Sequence, residues 1–252
     1  METGVNYELR DDVAYVTINN PERRNAISFA NLQTMGEIFE SVSPATARAL
    51  VLTGAGDAIF SAGVDLSDVA TTTGATENPL MALCDKLVRV PIPTIARING
   101  KVVGGGAEIS LSCDFRVGVE TATLMVPAAR IGLHYELEGL KRAAGVVGIQ
   151  GARRIYMLGR TFNADELTAM GYFDETTSAD NLDQTIDAMV ERLRNSAPLA
   201  VNGMKLTLAE MARGVVDEAT VRARVSASWD SEDIKEGLAS FREKRPPVYK
   251  GR

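Results

Sequence analysis

Thr94–Ser112 reads TIARINGKVVGGGAEISLS. Thr94 to Ile98 is a short, largely apolar run of buried-strand type. It leads into Asn99-Gly100, and Gly104-Gly105-Gly106 follows. Ala107 to Ser112 then reads as the opening of a buried helix. A helix N-terminus presents backbone N–H groups without intrahelical partners and a partial positive charge. Glycines let a substrate approach that backbone closely. Such a turn can supply half of an oxyanion hole without any charged side chain. Glu108 lies one turn in, on the same local surface, where a carboxyl can move a proton. The plain alternative is a tight turn with a helix-end glutamate, and this stretch alone leaves both readings open.

A second segment adds weight to the first reading. Ala49–Gly54, ALVLTG, is another short apolar run of buried-strand type. The following stretch, GAGDAIFSAGVDL at Gly54–Leu66, together with INGKVVGGGAEISLSCDFRV at Ile98–Val117, resembles the crotonase superfamily, the enoyl-CoA hydratase/isomerase group. NNPERRNAIS at Asn19–Ser28 and FREKRPPVYKG at Phe241–Gly251 extend the resemblance to both ends, in the family's order. It implies an α/β fold, with a crotonase-type spiral core of ββα units and a C-terminal helical oligomerisation region. The core is expected over residues 1–195 and the helical region over 196–252. It also implies a place in acyl-CoA and fatty acid metabolism.

The resemblance assigns residues one by one. Two backbone N–H groups polarise the thioester carbonyl of an acyl-CoA in this family. They match Val64, after the Ala-Gly pair, and Gly105, the middle glycine of the triplet. Only the N–H is used, so valine at 64 is acceptable. Arg23 and Arg24 resemble the basic pair beside the coenzyme A phosphates; a solvated turn is their bland reading. Ala26, Ala62, Asp65 and Leu66 match positions lining the adenine and pantetheine. Phe241 and Lys244 match C-terminal residues that reach a coenzyme A, often in the neighbouring subunit. No cofactor is implied beyond the coenzyme A that the substrate carries. The helical tail implies a homotrimer or a dimer of trimers.

Departures from the family pattern bear on the reaction. Hydratases place two glutamates on either side of the alkene. The first matches Glu108. The second would follow Pro127 in ATLMVPAARIGL, where this chain has Ala128. Acid–base chemistry with two carboxylates is therefore incomplete in its usual form. The next segment, GLHYELEGL at Gly132–Leu140, is similar to the methylmalonyl-CoA decarboxylase branch, whose tyrosine matches Tyr135 and helps hold a substrate carboxylate. That branch has a histidine where this chain has Val64. Glu136 is a candidate replacement acid. It and Glu138 read equally as acids favoured by the dipole of the helix that follows. His134 is either a proton carrier or a packing residue.

Composition sets outer limits. The 252 residues hold enough apolar side chains, 45%, to bury a large core. A net charge of -6 and the absence of a Lys/Arg cluster argue against a nucleic-acid surface. No apolar run approaches the roughly 20 residues of a membrane span. Met1–Tyr7 lacks the basic and apolar pattern of a signal peptide, so a cytoplasmic protein is expected. Cys84 and Cys113 sit in apolar contexts without metal-ligand spacing and read as reduced core residues. With one histidine, a His/Cys zinc site is excluded, and a serine-protease triad of the ClpP type finds no matching pattern. A dinucleotide fingerprint fails too, because Ile59 stands where Gly54-Ala55-Gly56 would need a third glycine. A lyase or isomerase on acyl-CoA remains, with a non-catalytic acyl-CoA-binding protein as its rival.

Local patterns predict the elements. Tyr7–Arg10 and Val13–Asn19 form a hairpin. Ser28 caps a helix whose apolar stripe is Leu32, Met35, Ile38, Phe39 and Val42. Strands are expected at Leu50–Thr53, Ile95–Ile98 and Phe115–Val119, with a helix at Leu80–Val88. Thr71–Asn78, TTTGATEN, reads as a lid or a plain surface loop. From about Asp180 the chain turns helical, with Pro198 in one first turn and Ser231 starting the last helix.

Overall fold

The computed structural model describes residues 4–65, 68 and 78–252. The expected lid therefore lies outside the described residues, apart from Asn78. The hairpin forms as β1 (Gly4–Arg10) and β2 (Val13–Asn19), closed by Arg10↔Val13. Asp11 and Asp12 both take positive φ, as a two-residue type I′ turn requires.

From there the chain winds in repeating strand–strand–helix units. After β2 come β3 (Ala26–Ile27) and α1 (Phe29–Ser41). Next come β4 (Ala49–Gly54), β5 (Ile59–Ser61), β6 (Gly63–Val64) and α2 (Pro79–Val88). The third unit is β7 (Thr94–Ile98), β8 (Lys101–Val103) and α3 (Gly105–Leu111). The fourth is β9 (Phe115–Val119), β10 (Thr123–Met125) and α4 (Leu137–Leu158), which breaks at Gly148. Then follow β11 (Phe162–Asn163), α5 (Ala164–Ala169) and β12 (Glu175–Thr177).

The first strand of each unit joins a six-stranded sheet in the order β1-β2-β4-β7-β9-β12, parallel after the opening hairpin. A second strand from three of the units joins a four-stranded sheet, β11-β10-β8-β5. β3 and β6 pair separately, with Ala26↔Gly63 and Ile27↔Val64 in parallel register. This is the spiral of ββα units expected from the sequence. The inner strands β4 and β7 are almost wholly buried, as parallel strands covered on both faces must be.

The caps are local and legible. The Ser28 hydroxyl accepts from the Asn31 N–H, and Asn78 accepts from the Leu80 N–H ahead of Pro79. Asn163 and Glu166 form a reciprocal capping box on α5. Cys84 and Cys113 are buried and free, and burial pushes both thiols up to about 12.

The C-terminal region is α6 (Leu182–Arg194), α7 (Pro198–Arg213), α8 (Glu218–Trp229) and α9 (Glu232–Glu243), the last capped by Ser231. Lys205 pins α7 to the core: its ammonium donates to the Ile92 carbonyl at 2.7 Å and meets Asp114 at 2.7 Å. α7, α8 and α9 leave Met204, Leu208, Met211, Trp229, Leu238 and Phe241 exposed. Among the described residues, no helix is long and apolar enough to cross a membrane.

Candidate active site

The β3–β6 pair lies against the start of α3, and glycines make that approach possible. Gly63 has φ +88, and a methyl built there would fall 2.7 Å from the Gly105 nitrogen and 2.8 Å from the Val103 oxygen. A methyl on Gly105 would lie 3.2 Å from the Val64 nitrogen. The backbones carrying the two expected donors are thus in contact. Gly105 opens its helix, so its N–H has no intrahelical acceptor.

Buried side chains hold this junction rigid. Asn25, itself in the left-handed region, donates to the Ala55 and Ile59 carbonyls at 3.0 and 2.9 Å. The Ser61 hydroxyl donates to the Asn25 carbonyl and accepts from the Gly63 N–H. Asn99 donates to the Gly54 and Gly56 carbonyls.

Every residue of α3 is buried, and Glu108 is 0% exposed. Its carboxylate accepts from Arg142 Nε at 2.8 Å through Oε1 and from the Tyr156 hydroxyl at 3.3 Å through Oε2. Both partners come from α4. Gly139 of the same helix lies flush against the carboxylate. The Tyr135 ring packs on Tyr156, with centroids 4.6 Å apart and a 54° tilt. Burial raises the Glu108 pKa against the opposing effects of the Arg142 charge and the Arg142 and Tyr156 hydrogen bonds. Burial, and then the Glu108 charge, also raises Tyr135 well above the ordinary phenol, so its hydroxyl is a donor at neutral pH.

The other expected residues sort as follows. Tyr135 is linked to Glu108 through Tyr156, while Glu136 is exposed at the N-cap of α4. The Glu136 charge still works to raise the Glu108 pKa. His134 is exposed, its ring nitrogen 2.7 Å from the Tyr135 carbonyl oxygen. Ala128, at the position of the second family glutamate, is buried.

Arg23, Arg24, Ala26, Ala62 and Asp65 gather on the β3–β6 pair and its turns. Arg23 is paired with Asp65 at 2.7 Å, and the Ala62 N–H donates to the Arg24 carbonyl. Leu66 lies outside the described residues. Phe241, 86% exposed, is on α9 and Lys244 is its C-cap. No cluster of His, Cys, Asp and Glu suited to a metal exists among the described residues.

Sequence reasoning missed Arg142, Tyr156 and Gly139. One signal was available. Gly139 and Arg142 are three residues apart, hence on one helical face, and Arg142 directly precedes the apolar stretch Ala143–Ile149.

A buried carboxyl held by Arg142 and Tyr156 follows the glycine-rich start of α3, and a spiral of ββα units carries it. Fold and site together define a crotonase-fold protein. The enoyl-CoA hydratase/isomerase family model matches residues 8–252, and the chain belongs to that family. It is 30% identical to the carnitinyl-CoA dehydratase of Escherichia coli K12, covering 100% of both chains. It is 29% identical to the short-chain-enoyl-CoA hydratase of Clostridium acetobutylicum, covering 94% of each. The crystal structure of an enoyl-CoA hydratase/carnithine racemase from Magnetospirillum magneticum superimposes with a TM-score of 0.92 at 29% identity, over 100% of this chain and 97% of that one.

Proposed function

We propose that this protein decarboxylates a malonyl-type acyl-CoA through a thioester enolate. The observation that carries the reading is that neither Ala128 nor Glu136 gives Glu108 a second carboxyl partner. Glu108 is sealed beside a protonated phenol, Ala128 is apolar, and Glu136 faces solvent. Adding water across an alkene calls for a base and an acid. Loss of carbon dioxide calls only for an electron sink and one later proton.

In this reading the Val64 and Gly105 N–H groups bind the thioester oxygen. Tyr135 donates to the substrate carboxylate and turns it out of the thioester plane. The bond to the carboxylate carbon breaks, carbon dioxide leaves, and the electron pair passes into the enolate, whose oxygen the two amides stabilise. Glu108, once protonated, gives that proton to the α-carbon and recovers one from water. Arg23, Arg24, Ala26, Ala62, Asp65 and Leu66 hold the coenzyme A, with Phe241 and Lys244 reaching it from the same or a neighbouring subunit. The exposed apolar residues of α7 to α9 support assembly as a trimer or a dimer of trimers.

A second reading is hydration or isomerisation of an enoyl-CoA by Glu108 with Glu136. The names of the Escherichia coli and Clostridium acetobutylicum relatives favour it.

The deciding test offers the purified protein methylmalonyl-CoA, ethylmalonyl-CoA and crotonyl-CoA. Release of carbon dioxide, slowed about 10- to 100-fold in Tyr135→Phe by loss of one charge-assisted hydrogen bond, is the expected result. Fast hydration of crotonyl-CoA without decarboxylation overturns the reading in favour of the second. Inertness toward all three, with tight coenzyme A thioester binding, points to a non-catalytic binding protein.

A further inference from the structure

An arginine lies directly on the glutamate, and burying it is costly. The Arg142 side chain is 10% exposed and its partner Glu108 is 0% exposed. Burying an ion pair gains little stability, since desolvation offsets the attraction. The place of Arg142 on the one buried carboxyl of α3 therefore points to a role in the site.

We propose that Arg142 is the positioning residue for Glu108: it aims the carboxyl and supplies the countercharge that the carboxyl faces. The proposal rests on the reading of Glu108 as the proton carrier, but not on which reaction uses the proton. Three contacts fix the guanidinium. Nε donates to Glu108 at 2.8 Å, Nη2 lies 3.1 Å from the Met81 sulfur, and Nη1 faces Asp85 at 3.5 Å. Asp85 is held in turn by Arg89 of the α2 C-cap at 3.6 Å and by Arg213 of α7 at 3.7 Å. A chain of alternating charges thus runs from the site, through α4 and α2, to the C-terminal helices.

Among the described residues, the groups facing Glu108 are few. From α4 and its approach come Arg142, Tyr156, Tyr135 and Glu136, and from α2 comes the Cys84 thiol. Arg142 is the cation among them. Burial favours the neutral acid and Arg142 favours the carboxylate. The two oppose each other at the group that general acid–base chemistry would use. Without Arg142, the Tyr156 hydrogen bond is left to oppose burial, and Glu108 holds its proton to higher pH.

The test titrates Glu108 directly, without substrate, by infrared difference spectra against Glu108→Gln in otherwise matched backgrounds. In Arg142→Gln, which keeps an N–H donor but loses the charge, the titration midpoint should rise by about one pH unit or more, a tenfold gain in proton affinity. Arg142→Lys should recover most of that shift. The Glu108-dependent limb of the pH–rate profile should move with the midpoint, and kcat should fall while KM for the thioester holds. An unchanged Glu108 midpoint in folded Arg142→Gln and Arg142→Lys overturns the proposal, whatever the reaction. A shifted midpoint in a protein that hydrates rather than decarboxylates keeps this inference and removes the proposed reaction instead.

Discussion

Gly139 packs against the carboxylate of Glu108 so closely that a methyl at its α-carbon would lie 3.0 Å from Oε2 and 3.1 Å from Oε1. The obstacle is a buried charge already gripped by Arg142 and Tyr156, so it cannot swing away cheaply. Gly139→Ala should therefore displace the carboxyl and cost at least about tenfold in kcat. Stability should change little, because overpacking of about 1–3 kcal/mol is partly offset by alanine's helix preference of about 1 kcal/mol. Parallel kinetics and urea denaturation check this. Full activity in Gly139→Ala would show that Glu108 has room to move.

Gly105→Pro removes one N–H while proline suits a first helical turn. If that N–H stabilises an enolate, turnover should fall on the order of 10²–10³-fold with a native circular dichroism spectrum. A folded variant that keeps its rate would remove Gly105 from the oxyanion hole.

Glu108 also makes a signed contribution to stability against pH. Its folded pKa is raised by burial. The folded state therefore binds its proton more tightly than the unfolded chain. That stabilisation is complete below the ordinary glutamate range and is lost as pH rises through the folded value. Wild-type stability should fall from this group over that window, and Glu108→Gln should flatten the fall. Chemical denaturation at a series of pH values measures both slopes, and equal slopes would contradict the buried-carboxyl assignment.

Lys205 joins α7 to the core through Ile92 and Asp114, with 5% of its side chain exposed. Removing one partner of a buried pair typically costs about 3–5 kcal/mol. Asp114 keeps hydrogen bonds from the Thr94 N–H and hydroxyl, so Lys205→Ala should fall at the lower end, about 3 kcal/mol. Limited proteolysis should then cut first within α7 to α9. An unchanged cleavage pattern and denaturation midpoint would show that α7 is held by other contacts.

Much of the architecture is written in short-range chemistry. Ser28 and Ser231 cap the helices they were expected to cap, because a cap needs only its own hydroxyl and an N–H three residues on. The strands at Leu50, Ile95 and Phe115 follow from runs of apolar residues, and the alternation with helices implies a layered α/β core. The short strands β5, β8 and β10 carry too few residues for a periodic signal, and their pairing comes from segments far apart in the chain.

The site divides along the same line. The sequence by itself determined that Glu108 follows a glycine-rich helix start and that no second glutamate stands at Ala128. Only the tertiary structure decided what Glu108 touches. Arg142 and Tyr156 lie 34 and 48 residues further along the chain, and Gly139 matters only because α4 crosses α3 there. A side chain's charge state depends on the solvent it loses and the partners it meets. Both are properties of packed neighbours rather than of local sequence.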